Sequence, residues 1–324
     1  MWILTGANGF IGSALLSELN TRGIKDLLIT DSVRPEERPD LLRGKNYANF
    51  LHTDELFIAL EDAALSSNIR GVIHMGACSD TTEMDVEFLR ANNTEYTQRL
   101  FEFCTQQKIP LIYASSGAVY GSGKEGFSDQ HESAVFTPLN PYGWSKLNFD
   151  VWAEKQKETP PVWYGLRFFN VYGPNEYFKG AMASLVFKAH QQILETGKLK
   201  LFRSHNKDYE NGKQLRDFVY VKDITRWICE LMDQRPAKSG IYNMGYGKAR
   251  TWLDLAGAVF KALNKELKIE WIDIPANIRD QYQYFTEARM EKLFSEGLSQ
   301  PQWDVEKGVS DYVKNYLSQG PKIL

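Results

Sequence analysis

The chain has 324 residues, of which 43% are hydrophobic and 24% are charged, as in a globular protein large enough for more than one domain. A formal net charge of −3 argues against nucleic acid as the main partner, and the lack of a run of about 18 apolar residues argues against a membrane span. The cysteines and histidines lack metal-ligand or disulfide spacing and the first residues do not resemble a secretion signal, so we expect a cytoplasmic protein without a metal site.

The first predicted element is a buried strand over residues 1–5, which a glycine-rich turn and a helix follow directly. Gly6 permits a tight turn, Gly9 lets backbone N–H groups approach a diphosphate, and Gly12 lets the helix pack close to the strand. The positive end of the helix dipole then faces the diphosphate. An ordinary strand-to-helix turn is the alternative, but the order of strand, turn and helix favours a dinucleotide site.

A second predicted strand, residues 27–30, ends at Asp31, which lies 19 residues after Gly12. A carboxylate at this position binds the adenosine ribose hydroxyls in dinucleotide folds, although Asp31 is also a suitable turn or cap residue. Asp31 favours NAD, because a 2′-phosphate would face a like charge. Arg34 and Arg38 follow in a charged loop and favour a phosphate. These residues alone leave NAD and NADP both open.

Strands and helices then alternate. Residues 71–77 and 110–114 are predicted strands, and residues 83–107 form a long predicted helix between them. This alternation predicts a Rossmann-type, doubly wound parallel sheet with helices on both faces, which is an α/β fold. Cys78 follows the first of these strands. No histidine or other base lies at a spacing that indicates activation of its thiol, so Cys78 is better explained as a small apolar residue than as a nucleophile.

Hydroxyl groups at the end of one strand and a Tyr–Lys pair on the next predicted helix indicate acid–base chemistry. Ser115 and Ser116 end the strand, and Tyr142 and Lys146 are four residues apart on one helix face. A nearby ammonium would stabilise a phenolate, and Tyr142 could then accept a proton from a sugar hydroxyl. This Tyr–Lys spacing is common on amphipathic helices, so it gains meaning only from the glycine-rich turn and the serine pair.

Three landmarks together resemble the extended short-chain dehydrogenase/reductase superfamily, in its nucleotide-sugar epimerase and dehydratase branch. They are residues 5–12, residues 113–116, and Tyr142 with Lys146. A closer resemblance, to the ADP-glyceromanno-heptose 6-epimerases, rests on residues 74–83, 168–174, 179–184 and 216–220.

This resemblance implies a reaction and its catalytic groups. Bound NADP would oxidise C6 of ADP-D-glycero-D-manno-heptose and then reduce the ketone from its other face, which yields ADP-L-glycero-D-manno-heptose for the lipopolysaccharide core. Tyr142 and Lys179 would be the two acid/base groups, Ser116 would polarise the oxygen, and Lys146 would bind the nicotinamide ribose. From the residues alone, Lys179 is an ordinary solvated loop charge. The resemblance also implies a homo-oligomer, often a pentamer.

The resemblance further implies two sets of binding residues. The cofactor site would comprise Gly6, Gly9, Phe10, Ile11, Gly12, Asp31, Ser32, Arg38, Met75, Gly76, Ala77, Cys78, Asn92, Lys146 and Val171. The substrate site would comprise Ser79, Ser116, Asn170, Ala181, Lys188, Phe202, Ser204, Arg216 and Tyr282. Arg38 would bind the 2′-phosphate, and Arg216 would hold the sugar-nucleotide diphosphate. The chain departs from the family pattern at Ala181, where a serine is usual, at Lys188, where a histidine is common, and in an insertion over residues 205–212.

The expected architecture has two parts. Residues 1–171 with about 215–245 would form the NADP-binding Rossmann domain, and residues 172–214 with 246–324 would form a smaller α/β substrate-binding domain. Two short strands, residues 218–220 and 241–244, are predicted to rejoin the large sheet. The active site is expected in the cleft between the two parts, at the carboxyl edge of the sheet.

Three alternatives belong to other functions. A UDP-hexose 4-epimerase needs no second base such as Lys179, and a sugar 4,6-dehydratase needs an acidic pair where this chain has Gly117 and Ala118. A cofactor-binding redox sensor or scaffold would lack part of the set Ser116, Tyr142 and Lys146, all of which are present. The sequence therefore favours the heptose epimerase.

Overall fold

The computed structural model of the chain describes residues 1–234, 238–279 and 282–324, without the side chains of residues 234, 277 and 278. Its strands in chain order are β1 (Trp2–Thr5), β2 (Leu27–Asp31), β3 (Asn49–His52), β4 (Gly71–His74), β5 (Leu111–Ser116), β6 (Trp163–Phe168), β7 (Asn170–Tyr172), β8 (Leu199–Phe202), β9 (Leu215–Arg216), β10 (Phe218–Tyr220), β11 (Gly240–Met244), β12 (Arg250–Thr251) and β13 (Ile269–Ile272).

The α-helices are α1 (Phe10–Thr21), α2 (Thr53–Ala59), α3 (Ala63–Ser66), α4 (Val86–Leu89), α5 (Tyr96–Gln107), α6 (Pro141–Glu154), α7 (Leu185–Thr196), α8 (Val221–Gln234), α9 (Trp252–Ala262), α10 (Ala276–Arg279), α11 (Glu291–Ser295) and α12 (Val305–Asp311). Shorter helical segments are the π-helices Arg90–Glu95 and Tyr312–Leu317 and the 3₁₀ helices Gly117–Tyr120, Ser133–Val135 and Tyr177–Met182. No helix among the described residues is long and apolar enough to cross a membrane.

Seven parallel strands form the central sheet, in the order β3-β2-β1-β4-β5-β6-β11. The strand order reverses between β1 and β4, and this reversal opens a crevice at the carboxyl ends of the strands. The predicted Rossmann-type α/β fold is therefore confirmed. Each strand predicted in the first half is present, with bounds that differ by one to three residues, whereas β3 was not predicted.

One strand prediction is wrong. Residues 241–244 do join the large sheet as part of β11, but residues 218–220 form β10, which pairs with β7 in a separate two-stranded sheet. The reason is that β11 already occupies the outer edge of β6, so no edge is free there for β10. Two further pairs, β12 with β9 and β13 with β8, lie outside the central sheet.

Helices cover both faces of the central sheet, because its inner strands, such as β1, β2 and β4, are buried along their whole length. On one face, α1 and α8 bury Leu16, Trp227 and Ile228 against the strands. On the other, α5 and α6 bury Phe101 and Phe149. A separate core forms where α7, α9 and α12 pack around β8 and β10.

Candidate active site

The ends of five parallel strands surround a cavity of about 630 Å³ at the carboxyl edge of the central sheet. Twenty of the predicted site residues line it: Gly6, Gly9, Phe10, Ile11, Gly12, Asp31, Ser32, Arg38, Met75, Gly76, Ala77, Cys78, Ser79, Asn92, Ser116, Tyr142, Lys146, Asn170, Val171 and Lys179. They come from positions as far apart as 6 and 179, and it is the parallel sheet that brings them to one edge.

Six predicted substrate residues do not line this cavity: Ala181, Lys188, Phe202, Ser204, Arg216 and Tyr282. The guanidinium of Arg216 lies 5.2 Å from the ring centroid of Tyr282, and the Tyr282 ring lies 6.2 Å from that of Phe202. Gln283, next to Tyr282 in the chain, lines the cavity, so the two groups of residues adjoin. Lys188 instead donates a hydrogen bond to the backbone oxygen of Ala181 at 2.6 Å.

The glycine-rich turn has the shape that a diphosphate needs. Gly6 has φ of +66°, and a Cβ there would lie 2.5 Å from the backbone nitrogen of Gly76. A Cβ on Gly12 would lie 1.9 Å from the Gly6 oxygen. The N-cap of α1 is Gly9, and no side chain caps the helix, so its first N–H groups remain available to an anion. These features fit a dinucleotide diphosphate.

Asp31 and Arg38 lie on the same wall of the cavity but have different partners. Both carboxylate oxygens of Asp31 accept backbone hydrogen bonds, from Asn8 at 2.9 Å and from Val33 at 3.0 Å. Arg38 donates to the Asn8 oxygen at 2.7 Å and lies 3.8 Å from the centroid of the Phe178 ring. Burial raises the pKa of Asp31 and lowers that of Arg38. Within the described chain, no carboxylate forms an ion pair with Arg38, whereas Arg34 pairs with Glu55 at 2.7 Å.

Tyr142, Ser116 and Lys146 occupy the part of the cavity beneath the ends of β5 and β6. Burial raises the pKa of Tyr142, and a hydrogen bond with Ser116 opposes this rise. The Lys146 ammonium donates to the Ala114 oxygen at 3.0 Å, and burial lowers its pKa to about 8. The Ser115 hydroxyl donates to Asp150 at 2.8 Å, so Ser116 is the hydroxyl that remains with Tyr142.

A buried ion pair supports the helix that carries Tyr142 and Lys146. Asp150 lies one turn after Lys146, and it pairs with Arg167 of β6 at 3.0 Å, with both side chains fully buried. Arg167 also donates to the Ser133 hydroxyl at 2.7 Å, and Asp150 also accepts from the Tyr113 phenol at 3.1 Å. The sequence indicated neither residue, because an Asp on a helix and an Arg in a strand are ordinary surface residues by pattern.

A second residue that the sequence did not indicate is Asn93. The predicted helix over residues 83–107 begins later, at Val86, and contains the π-helix Arg90–Glu95. This turn buries Asn93, which accepts from the Cys78 backbone N–H at 2.9 Å and donates to the Ser145 hydroxyl at 2.9 Å. Asn92 lines the cavity, and its amide donates to the Phe88 oxygen at 2.9 Å. The sequence offered one signal for these hydrogen bonds of Asn93, namely a pair of adjacent asparagines inside a predicted helix.

Lys179 faces the cavity from the 3₁₀ segment after β7. Its ammonium lies 5.7 Å from the ring centroid of Phe10. Burial lowers the pKa of Lys179, while the carboxylates of Glu176 and Asp80 oppose that change. Tyr142 and Lys179 therefore both line one cavity, together with Ser116.

A glycine-rich turn shaped for a diphosphate and a Ser–Tyr–Lys set on a Rossmann-type sheet are features of nicotinamide-dependent enzymes. In agreement, residues 2–245 match the family model described as the NAD dependent epimerase/dehydratase family, and the chain belongs to that family.

Individual relatives narrow the class to one enzyme family. The chain is 47% identical to an ADP-L-glycero-D-manno-heptose-6-epimerase of Fusobacterium nucleatum, with all of both chains covered. The crystal structure of the Helicobacter pylori ADP-L-glycero-D-manno-heptose-6-epimerase superposes with a TM-score of 0.80 at 28% identity and covers 97% of this chain and 95% of that one. The chain is thus an epimerase of the ADP-L-glycero-D-manno-heptose-6-epimerase family.

A further solved structure bears on the cofactor. MoeE5 in complex with UDP-glucuronic acid and NAD has a TM-score of 0.75 at 25% identity, with 97% of each chain covered. Together with the family assignment, this relative supports a nicotinamide cofactor for the chain.

Proposed function

We propose that the chain interconverts ADP-D-glycero-D-manno-heptose and ADP-L-glycero-D-manno-heptose at C6, for the heptose of the lipopolysaccharide core, with NADP as the retained cofactor. The observation that carries this proposal is that Tyr142 and Lys179, two groups able to transfer protons, line the same cavity as the glycine-rich turn. A hexose 4-epimerase would need only the first of them.

The chain's own groups would handle the oxygen and its proton. The nicotinamide, when bound, supplies a hydride acceptor and donor. Ser116 would donate a hydrogen bond to the reacting oxygen, and Tyr142 would hold the proton that the hydroxyl loses on oxidation. Inversion changes the side of the carbon on which the oxygen lies, so the returning proton must come from a second group. Lys179, on another wall of the cavity, would supply it.

Two observations support NADP over NAD. Asp31 accepts backbone hydrogen bonds from Asn8 in the glycine-rich turn and from Val33 in its own loop, so its presence is explained without a ribose ligand. Arg38 lies in the cavity wall without an ion-pair partner in the described chain and is therefore suited to a 2′-phosphate. Lys146 would bind the nicotinamide ribose.

The substrate's nucleotide would lie on the residues beside the cavity. Arg216 is 7% exposed, and its guanidinium donates to the backbone oxygens of Leu215 and Gln283. A buried guanidinium with neutral partners is suited to an anion such as a diphosphate. We assign residues 172–214 and 246–324 to substrate binding and residues 1–171 and about 215–245 to NADP, and Arg216, at the start of the latter segment, would reach the substrate beside Tyr282.

We also propose a homo-oligomer, pentameric as the family resemblance implies, and a cytoplasmic location. Met84, Val86 and Phe88 expose apolar side chains close together in the chain, and the three cysteines are free. Light scattering of the purified protein tests the oligomeric state.

The function is tested by incubating the protein with ADP-D-glycero-D-manno-heptose and following the C6 proton by NMR. We expect conversion by the wild type and by the control Lys207→Met, which changes an exposed lysine. Tyr142→Phe and Lys179→Met should each lose most activity and still bind cofactor. Turnover of UDP-galactose in place of the heptose substrate would refute the assignment, and full epimerisation by either variant would refute the pair of proton-transfer groups.

The identity of the cofactor needs a separate experiment. Releasing the bound cofactor with acid and measuring its mass distinguishes NADP from NAD.

A further inference from the structure

One buried carboxylate joins the two ends of the segment that carries Lys179. Glu176 is 1% exposed. Its Oε1 accepts from the Gly173 N–H at 3.3 Å and from the Ser184 hydroxyl at 2.7 Å, and its Oε2 accepts from the Ser184 N–H at 2.6 Å. A single side chain thus bridges backbone positions before and after Lys179.

The same carboxylate is part of the electrostatic surroundings of Lys179. The Lys179 N–H donates to the backbone oxygen of Glu176 at 3.0 Å, which fixes the start of the 3₁₀ turn. The carboxylate of Asp80, in the loop after β4, also favours the charged form of Lys179 and so raises its pKa. Lys188 of α7 and Tyr312 of the C-terminal π-helix face Glu176. Of these neighbours, Glu176 and Asp80 are the two that favour an ammonium at Lys179.

We propose that Glu176 is a positioning residue for the reaction: through its hydrogen bonds to Gly173 and Ser184 it holds the loop of residues 173–184 in the conformation that directs Lys179 into the cavity. This inference rests on the proposed function only for the proton-transfer role of Lys179. The placement of the loop and its effect on Lys179 follow from the contacts themselves.

The loop that carries Lys179 needs a residue such as Glu176 to fix its conformation. Between Glu176 and Ser184 the backbone is a short 3₁₀ segment that contains Gly180 at φ of +51°, and none of its residues is buried. Tyr177 at its start packs against Phe187 and Tyr312, but no residue from Lys179 to Met182 is buried. A carboxylate with three hydrogen bonds can fix the loop, because leaving either backbone N–H group buried without its acceptor would be costly. Burial raises the pKa of Glu176, while its bonds to Ser184 and Gly173 favour the charged form.

The test compares two equivalent substitutions. Glu176→Gln removes the charge and keeps the shape. Glu154→Gln is the matched control, because Glu154 accepts from the N–H and the hydroxyl of Ser133 at 3.0 and 2.8 Å but lies outside the cavity lining. The first readout is the pH titration of Lys179, followed by NMR after ¹³C-methylation of the lysines without added substrate. The Lys179 signal is assigned by its absence in Lys179→Met.

We expect the Lys179 midpoint to move to lower pH in Glu176→Gln and to stay in place in Glu154→Gln. The sign follows because removal of an anion makes the neighbouring ammonium easier to deprotonate. We also expect kcat to fall by about 10- to 100-fold with KM for the nucleotide sugar little changed, since a misplaced catalytic group affects the reacting geometry more than binding. The limb of the pH profile that depends on Lys179 should move in the same direction.

An unchanged Lys179 midpoint in Glu176→Gln would overturn the inference. If that variant does not fold, Ser184→Ala tests the hydrogen bonding of the loop alone. It removes the bond from the Ser184 hydroxyl to Glu176 and the bond from the Phe187 N–H to that hydroxyl, and it leaves the charge of Glu176 in place. We then expect kcat to fall and the Lys179 midpoint to stay in place. Unchanged kcat in Ser184→Ala would equally overturn it. Full epimerisation by Lys179→Met would instead refute the proton-transfer role, while a shifted midpoint in Glu176→Gln would still support the positioning.

Discussion

The two lysines proposed for the site lie in contrasting surroundings. Lys146 is on α6, is 4% exposed, and lies one turn from the fully buried pair of Asp150 and Arg167. Lys179 is half-buried on a short 3₁₀ segment, and Glu176 joins both ends of its loop. Lys146 is thus positioned by a helix packed in the protein core, and Lys179 by the hydrogen bonds of a single neighbouring carboxylate. The contrast suggests that substitutions near Lys146 will mainly affect stability, and that substitutions near Lys179 will mainly affect turnover.

The largest expected effect is on the Lys146 side. Asp150→Asn leaves the Arg167 guanidinium buried without its carboxylate, and loss of one member of a buried pair costs about 3–5 kcal/mol. We expect a loss of that size in the free energy of unfolding, measured with urea. The control is Glu306→Gln, which breaks a partly exposed pair with Arg250 and should cost less than loss of the fully buried pair. Similar losses in both variants would show that the Asp150 pair does not support α6.

An intermediate effect is expected in the Lys179 loop. Gly180 has φ of +51° and ψ of −121°, and a Cβ there would meet no atom within 4 Å, so Gly180→Ala adds backbone strain without a clash. The strain costs about 1–3 kcal/mol, and we expect kcat to fall because the loop relaxes away from the cavity. Gly126→Ala is the control, since Gly126 also has positive φ in open space. Equal kcat values for the two variants would contradict the role of the loop.

The smallest expected effect concerns the cofactor. Phe178 precedes Lys179, and its ring lies under the Arg38 guanidinium, a contact worth about 0.5–1 kcal/mol at an exposed site. Phe178→Ala should therefore weaken NADPH binding by about two- to fivefold, measured by fluorescence titration. Phe57→Ala removes a similar stacked pair, with Arg99 at 3.7 Å, and should leave NADPH binding unchanged. Unaltered NADPH binding in Phe178→Ala would show that the Lys179 loop does not contribute to cofactor binding.

Much of the cofactor side could be predicted from the sequence. Residues 1–31 contain a strand, a glycine-rich turn, a helix and a second strand in local order, and each depends on backbone geometry that only particular residues permit. Gly6 and Gly12 are examples, because a side chain at either position would collide with the backbone. The serine pair at the end of one strand, and Tyr142 and Lys146 on one helix face, also follow from local periodicity. The choice of Ser116 over Ser115 came from the family resemblance.

Tertiary structure alone decided the rest. The separate pairing of β10 with β7 depends on which strand edge is free, and the positions of Asn93, Asp150 and Glu176 depend on partners between 8 and 52 residues away. A polar residue that is buried and fully hydrogen-bonded has the same sequence pattern as one exposed to solvent. By itself the sequence determined the fold class and the diphosphate turn, because those follow from local backbone requirements. The contacts that position the two lysines, the Asp150–Arg167 pair and the hydrogen bonds of Glu176, join segments that meet only once the chain is folded.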